Sequence, residues 1–446
     1  MAEVIDARWI EEYRNLASYP NLIDSKLRAE DPDSRREEFV ESNFTANPDL
    51  TPLVDLDKVK QNETSLLAFR DRIIDEEEEP VVVSAYIPRL DELLINLKML
   101  RAAGTGNQDN YIEANIEAFG EPNRLVFQNG VRTMRDTALE AFDDPRQHIR
   151  ERARVVLGIL PDDPMGGELI YPDQFLAVKE LYGDVVKQIY VAAGELPELL
   201  KGEMARNNLQ AIVDHWGFDY TVVPQKSGLS TMSVDHGKKL IKLPQSEEYT
   251  KERFIGLAIH EIYTHVGERI NGELQPLRIL YSGLDRYLKA GEGKGVVAEQ
   301  IVYGSLGEFL KTTRATDISR RHLAIGFARG LDDSEEKDFV GVFQRINAID
   351  NLFAAIQDPS NPEVAAERAL YKTWELLAMR TQKGVVGRGM ASFKDKIYAE
   401  GSPEQLQFMA KHPEVFPYMN LGKYDLTNPR HVSILRTAGI LPAHIL

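Results

Sequence analysis

The spacing of apolar positions divides the chain into helical and strand-like stretches. Apolar side chains recur near a 3.6-residue period over 54–75. Leu90, Leu93, Leu94, Leu97 and Leu100 draw one stripe over 90–102 with charges opposite. Ala103-Gly104-Thr105-Gly106 is predicted to end that second helix, glycine supplying a left-handed cap. Further helices are predicted over 124–142, 172–197 and 198–215. The texture then changes. Phe218–Val223 and Ser230–Val234 read as strands, and Lys239–Leu243 answers them across Asp235-His236-Gly237-Lys238, a hairpin with glycine in its turn. Pro244 closes it. Thr250 is predicted to cap a strongly amphipathic helix carrying Phe254, Ile255, Leu257, Ala258, Ile259, Ile262, Val266 and Ile270. From about 293 onward the pattern is mostly helical. The expected fold class is α+β, predominantly helical, with one small sheet just before the amphipathic helix. The breaker-rich run from Pro161 to Gly167 is the best boundary. It would separate an N-terminal helical lobe over 1–165 from a second region over 166–446, or else fall within one continuous domain from about 40 to 442.

Composition narrows the chemistry more than the fold. The 446 residues are 43% apolar and 28% charged, as in a chain that buries a sizeable core. Cysteine is absent, which removes disulfides and thiolate metal sites and fits a reducing, cytoplasmic setting. Any metal must then be held by nitrogen and oxygen. The opening residues are charged from the third position and lack the pattern of a signal peptide. No apolar window is long enough to predict a membrane helix. A net charge of −17 argues against nonspecific binding to nucleic acid or to an anionic membrane. Nothing in the composition fixes an oligomeric state. The acidic run Asp75–Glu79, closed by Pro80, reads as a solvated helix end. Gly291-Glu292-Gly293-Lys294-Gly295 lacks the spacing and the Ser or Thr of a phosphate loop.

One segment carries chemistry. In His260-Glu261-Ile262-Tyr263-Thr264-His265, two histidines and a glutamate lie on the amphipathic helix. Zinc peptidases commonly use H-E-x-x-H, whose histidines share a helix face. Here the spacing is H-E-x-x-x-H. Five residues of ideal α-helix rotate by about 140° beyond a full turn and would splay the rings. A π-type widening across Ile262-Tyr263-Thr264 is therefore expected, since it returns both rings to one face. Two imidazoles suit zinc, a third protein ligand completes a catalytic site, and a carboxylate beside the metal removes a proton from the hydrolytic water. Glu261 is the candidate general base. Glu268, Glu273, Asp285, Glu292 and Glu299 are the downstream acids in reach, with Glu292 favoured because glycines flank it at an expected helix start.

These residues also carry a resemblance. Leu97–Thr105, Ser233–Pro244, His260–His265, Gln275-Pro276-Leu277, Gly387-Arg388-Gly389, Phe393-Lys394-Asp395 and Leu421–Pro442 occur in the order found in the microtubule-associated tyrosine carboxypeptidase family. Its bacterial relatives are labelled flavohaemoglobin-expression-modulating QEGLA-motif proteins. The resemblance spans about 40–442 and implies a zincin-like (gluzincin-type) metallopeptidase that releases a C-terminal residue, aromatic in known members, from a peptide or protein. It implies Zn2+ held by His260, His265 and Glu292, with Glu261 as base. Glu292-Gly293-Lys294-Gly295 aligns with the family's Glu-Gly-Leu-Ala, so Lys294 brings a cation beside the candidate ligand; Glu299 is the fallback. Arg388, Lys394 and Gln275 are the substrate-binding candidates, with Arg278 as a local alternative, because a carboxypeptidase needs cations for the terminal carboxylate. Tyr263, Tyr281, Tyr287, Tyr303 and His236 are candidate oxyanion donors. The same residues admit two other readings: a zinc-binding regulator without catalysis, and a peptidase acting at N-termini.

Overall fold

The computed structural model describes residues 3–162, 169–170, 172–225 and 232–446. The expected boundary therefore falls largely outside the described residues, and so does the start of the strand expected at Ser230.

Helices dominate. In chain order they include α1 (Leu56–Glu76), α2 (Pro80–Thr105), α3 (Gln108–Phe119), α4 (Arg124–Phe142), α5 (Gln147–Ile159), α6 (Pro172–Ala193) and α7 (Gly202–His215). Helix α2 ends inside the expected stop at 103–106: Gly104 stays helical against Val54, and Gly106, at φ 66°, is the left-handed cap. No helix among the described residues is long and apolar enough to cross a membrane.

The strands sit where the chain changes texture. β1 (Leu199–Lys201) pairs antiparallel with β5 (Glu248–Thr250). β2 (Thr221–Gln225), β3 (Ser233–Asp235) and β4 (Leu240–Pro244) form a second sheet in the order β2-β4-β3. The β3–β4 hairpin pairs Val234 with Ile241, and its turn carries Lys239 at φ 53°. β2 runs parallel to β4, in register from Thr221 with Leu240 to Gln225 with Pro244.

Beyond β5, helix α8 continues without a break through three runs, α-helical Lys251–Ala258, π-helical Ile259–Val266 and α-helical Gly267–Leu274. The Thr250 hydroxyl accepts from the Arg253 amide at 3.3 Å and caps it. Then follow α9 (Leu288–Val302), α10 (Thr313–Ala328), α11 (Phe339–Gln357), α12 (Pro362–Leu376) and α13 (Ile397–Lys411).

Two large cores among the described residues hold this arrangement. One gathers Trp9, Tyr86, Leu97, Val178, Leu209, Ile241, Phe254, Ile259, Ile262, Val297 and Leu406 around α8 and α9. The other packs Phe39, Phe127, Ile149, Phe327, Phe343 and Trp374 between α4, α5, α10, α11 and α12. Both draw residues from either side of position 165. Helices α9 and α13 cross unusually closely. A Cβ on Gly293 would lie 2.5 Å from the Gly401 carbonyl, and one on Gly401 would lie 2.3 Å from the Lys289 carbonyl oxygen. Only glycine permits backbones that near.

Candidate metal centre

Helix α8 widens to a π-turn over the residues that carry the two histidines. The Thr264 hydroxyl donates to the Ile259 carbonyl at 3.2 Å, five residues back along that wider turn. The rings of His260 and His265 consequently meet on one face, centroids 4.9 Å apart.

Helix α9 crosses over this face. The expected start at Glu292 lies one turn too late, because α9 begins at Leu288 and Glu292 sits inside it. Its carboxylate Oε2 lies 3.4 Å from Nε2 of His260 and 3.4 Å from Nε2 of His265. One ligand atom from each of these three residues falls within 4.8 Å of the others. The close approach depends on Gly295. A Cβ there would stand 2.6–2.8 Å from three atoms of the His260 ring. His260 is only 3% exposed, Glu292 13% and His265 17%, so the cluster opens towards solvent on the His265 side.

Each imidazole is backed by a carboxylate, and each carboxylate by a cation. Nδ1 of His260 lies 2.5 Å from Glu299 Oε1, and Arg314 donates to both oxygens of Glu299 at 2.9 Å. Nδ1 of His265 faces Glu268 Oε2 at 3.9 Å, and Glu268 Oε1 pairs with Lys294. Such outer partners fix the tautomer and aim of metal-binding imidazoles. Glu299 thus stands behind His260, while Glu292 stands with both Nε2 atoms.

Burial penalises charge here, yet the close carboxylates prevail. Desolvation lowers the His260 pKa, but Glu299 and Glu292 bring it up to about 9. Desolvation likewise opposes His265, and Glu292 and Glu268 bring it to about 10. Burial pushes Glu292 up, but the two histidines hold it well below the usual carboxylate range. Glu261 goes the other way: burial raises its pKa, and His260 and His265 offset this only in part. A carboxyl poised upward beside two imidazoles suits general base work. Two imidazole nitrogens and one carboxylate, within 4.8 Å of one another, match the donor set that zinc takes in catalytic sites.

The other candidates take partners outside the three-residue cluster. Lys394 pairs with Asp24, beside Lys383. Arg388 is exposed, reaching Glu335 at 3.3 Å, and its carbonyl accepts from Gln108. Gln275 bonds back to the Asn271 carbonyl at 3.1 Å at the end of α8. The Arg278 amide donates to Asp6 at 3.0 Å. Among the acids, Asp285 pairs with Arg430 and faces His431 at 3.4 Å, and Glu273 pairs with Arg269 at 3.3 Å. Among the donors, His236 holds the Tyr220 hydroxyl at 2.9 Å; burial, Lys423, Arg269 and His265 press its pKa down to about 2. Tyr263 packs on Trp216 and Tyr303 on Phe309, while Tyr281 lies under Arg269. Tyr287 fills the space beside Gly283.

Several residues emerge only in three dimensions. A cavity of about 440 Å³ has Glu299, the carboxylate that backs His260, in its wall. Arg314, Arg320, Arg321, Arg368, Lys372 and Arg380 line it with Arg253, outnumbering its acids Glu247, Glu299, Asp317 and Glu375. Tyr398 lies under Arg314 and Arg321, at 5.8 and 5.1 Å, and burial and then Glu292 raise its pKa. No local spacing marks these residues, since α10, α12 and α13 bring them from distant stretches.

Residues 188–355 match the family model described as microtubule-associated tyrosine carboxypeptidase. The matched stretch contains both sheets, all of α8 and α9, and every residue of the His260–His265–Glu292 cluster with its backing pairs. Arg388 and Lys394 lie beyond it. No curated protein and no solved structure matches the chain.

Proposed function

We propose, from the match of residues 188–355 to the microtubule-associated tyrosine carboxypeptidase family model, that this chain is a zinc-dependent metallocarboxypeptidase acting on the C-terminus of a peptide or protein. The observation that carries the proposal is the convergence of His260 Nε2, His265 Nε2 and a Glu292 oxygen within 4.8 Å, with Glu261 on the same widened turn. A sheet leading into a helix with this ligand pattern supports the zincin-like reading of the fold.

His260, His265 and Glu292 would hold the ion. Zinc, when bound, supplies Lewis acidity towards a carbonyl oxygen and lowers the pKa of water. Glu261 takes the proton from the attacking water and hands it to the leaving amine. Glu299 and Glu268 hold the two imidazoles in the tautomer that directs Nε2 into the site. The cationic cavity receives the terminal carboxylate at Arg380 and Lys372, since a guanidinium fork matches two oxygens. It takes the role expected of Arg388 and Lys394. The Tyr398 hydroxyl, kept protonated by burial, is the candidate donor to the developing oxyanion.

The test uses one peptide in two forms, with a free or an amidated C-terminus, incubated with the zinc-loaded chain and followed by mass spectrometry. Loss of a single C-terminal residue from the free form alone is expected, and none with Glu261→Gln. Release from the N-terminus, or equal cleavage of both forms, would sink the proposal.

A further inference from the structure

Lys294 stands where the resemblance expects leucine, and it occupies a leucine-like position: it is only 2% exposed. A buried ammonium persists only with partners. Lys294 has two, the Glu268 carboxylate and the Met419 carbonyl, which it reaches at 2.7 Å. The Tyr424 ring lies 5.9 Å away. Glu268 is fully buried, and its other oxygen faces Nδ1 of His265 at 3.9 Å. Without Lys294, this carboxylate would keep only the His265 imidazole at 3.9 Å. Without Glu268, Lys294 would keep only the Met419 carbonyl and be an uncompensated charge in the core. Each therefore requires the other.

We propose that Lys294 and Glu268 act as one coupled pair that positions His265, with Lys294 anchoring the buried Glu268 carboxylate so that its other oxygen faces the imidazole. The inference rests on the zinc reading above. It makes the two halves of the centre analogous: Arg314–Glu299 behind His260, Lys294–Glu268 behind His265. The halves differ in reach, 2.5 Å for His260 and 3.9 Å for His265. His265, the more exposed ring, is thus the more loosely held, and the pair limits its freedom. Neither Lys294 nor Glu268 touches substrate; both are positioning residues.

The experiment is a double-mutant cycle with Lys294→Leu, Glu268→Gln and the double variant, read twice. The first reading is thermal unfolding of the metal-free chain. Each single variant should lose about 5 °C, and the double variant should recover most of that loss, because it leaves no unpaired charge. The second is zinc affinity by chelator competition. Lys294→Leu and Glu268→Gln should each weaken it about tenfold or more, the size expected for losing an outer partner of a ligand. Additive stability losses would overturn the coupling. Coupled stability with unchanged zinc affinity would reduce the pair to a structural one and overturn the positioning role. A wild-type chain that takes up no zinc would instead refute the proposed function, and the positioning role with it, leaving the metal-free unfolding to report the coupling alone.

Discussion

Gly295→Ala isolates the packing that brings α9 onto the histidines. The added methyl would lie 2.6 Å from Cε1, 2.7 Å from Nε2 and 2.8 Å from Cδ2 of His260. Ordinary contact begins at 3.4 Å, so the ring must retreat by about 0.8 Å from its nearest atom. The helix cannot yield instead, because Gly293 already meets the Gly401 backbone. Nor can the ring turn freely, since Nδ1 is held by Glu299 at 2.5 Å. The fold itself should suffer little. Alanine gains about 1 kcal/mol over glycine inside a helix, against about 1–3 kcal/mol for overpacking, a net loss near 1 kcal/mol. A ligand displaced by nearly an ångström should lose about 10–100-fold in zinc affinity and a comparable factor in turnover. Chelator competition and thermal unfolding, run side by side, separate the two effects. The same position is alanine in the family's Glu-Gly-Leu-Ala pattern, so the variant also asks whether this chain seats His260 in its own way. Zinc affinity within twofold of wild type would refute the packing argument.

Three further outcomes follow from the same geometry. Burial disfavours charge on His260 and His265, yet their carboxylate neighbours lift them to about 9 and 10, so both carry a proton at pH 7 in the metal-free chain. Zinc needs them neutral: its uptake should release about two protons, seen by calorimetry in buffers of differing ionisation enthalpy, and apparent affinity should rise with pH up to that range. Glu400 is pushed up by burial but brought down to about 2 by His322 and Lys396. A depressed folded pKa gives stability that is full above the unfolded value of about 4.3 and is lost as pH falls towards 2, so Glu400→Gln should flatten the acid limb of stability followed by circular dichroism. Gly293→Ala meets backbone rather than a movable side chain, and should cost about 3 kcal/mol or more in denaturant unfolding, in contrast to Gly295→Ala.

Much of the centre was legible because its signals are local. The amphipathic stripe and Thr250 marked α8, and the histidine spacing itself required the widened turn that Ile259–Val266 adopts. The β3–β4 hairpin announced its glycine turn. The parallel pairing of β2 with β4 did not, because register between distant strands leaves no periodic trace. The glycine-rich run at 291–295 read as a helix start, yet it lies within α9, where two of its glycines admit a neighbour: His260 at Gly295 and the Gly401 backbone at Gly293. Propensity disfavours glycine in helices, and close packing overrode it. The basic cavity was hidden for a different reason. Arg314, Arg321 and Arg380 look like solvated charges in sequence, and only the meeting of α10 with the turn after α12 gathers them.

The most direct test is the zinc content of the purified chain beside its Glu292→Gln, Glu261→Gln and His265→Ala variants, by elemental analysis after equilibration with zinc. The account predicts about one zinc per chain in the wild type and in Glu261→Gln, and nearly none in the other two. A wild-type chain without zinc, or a Glu292→Gln chain that keeps it in full, would contradict the centre described here.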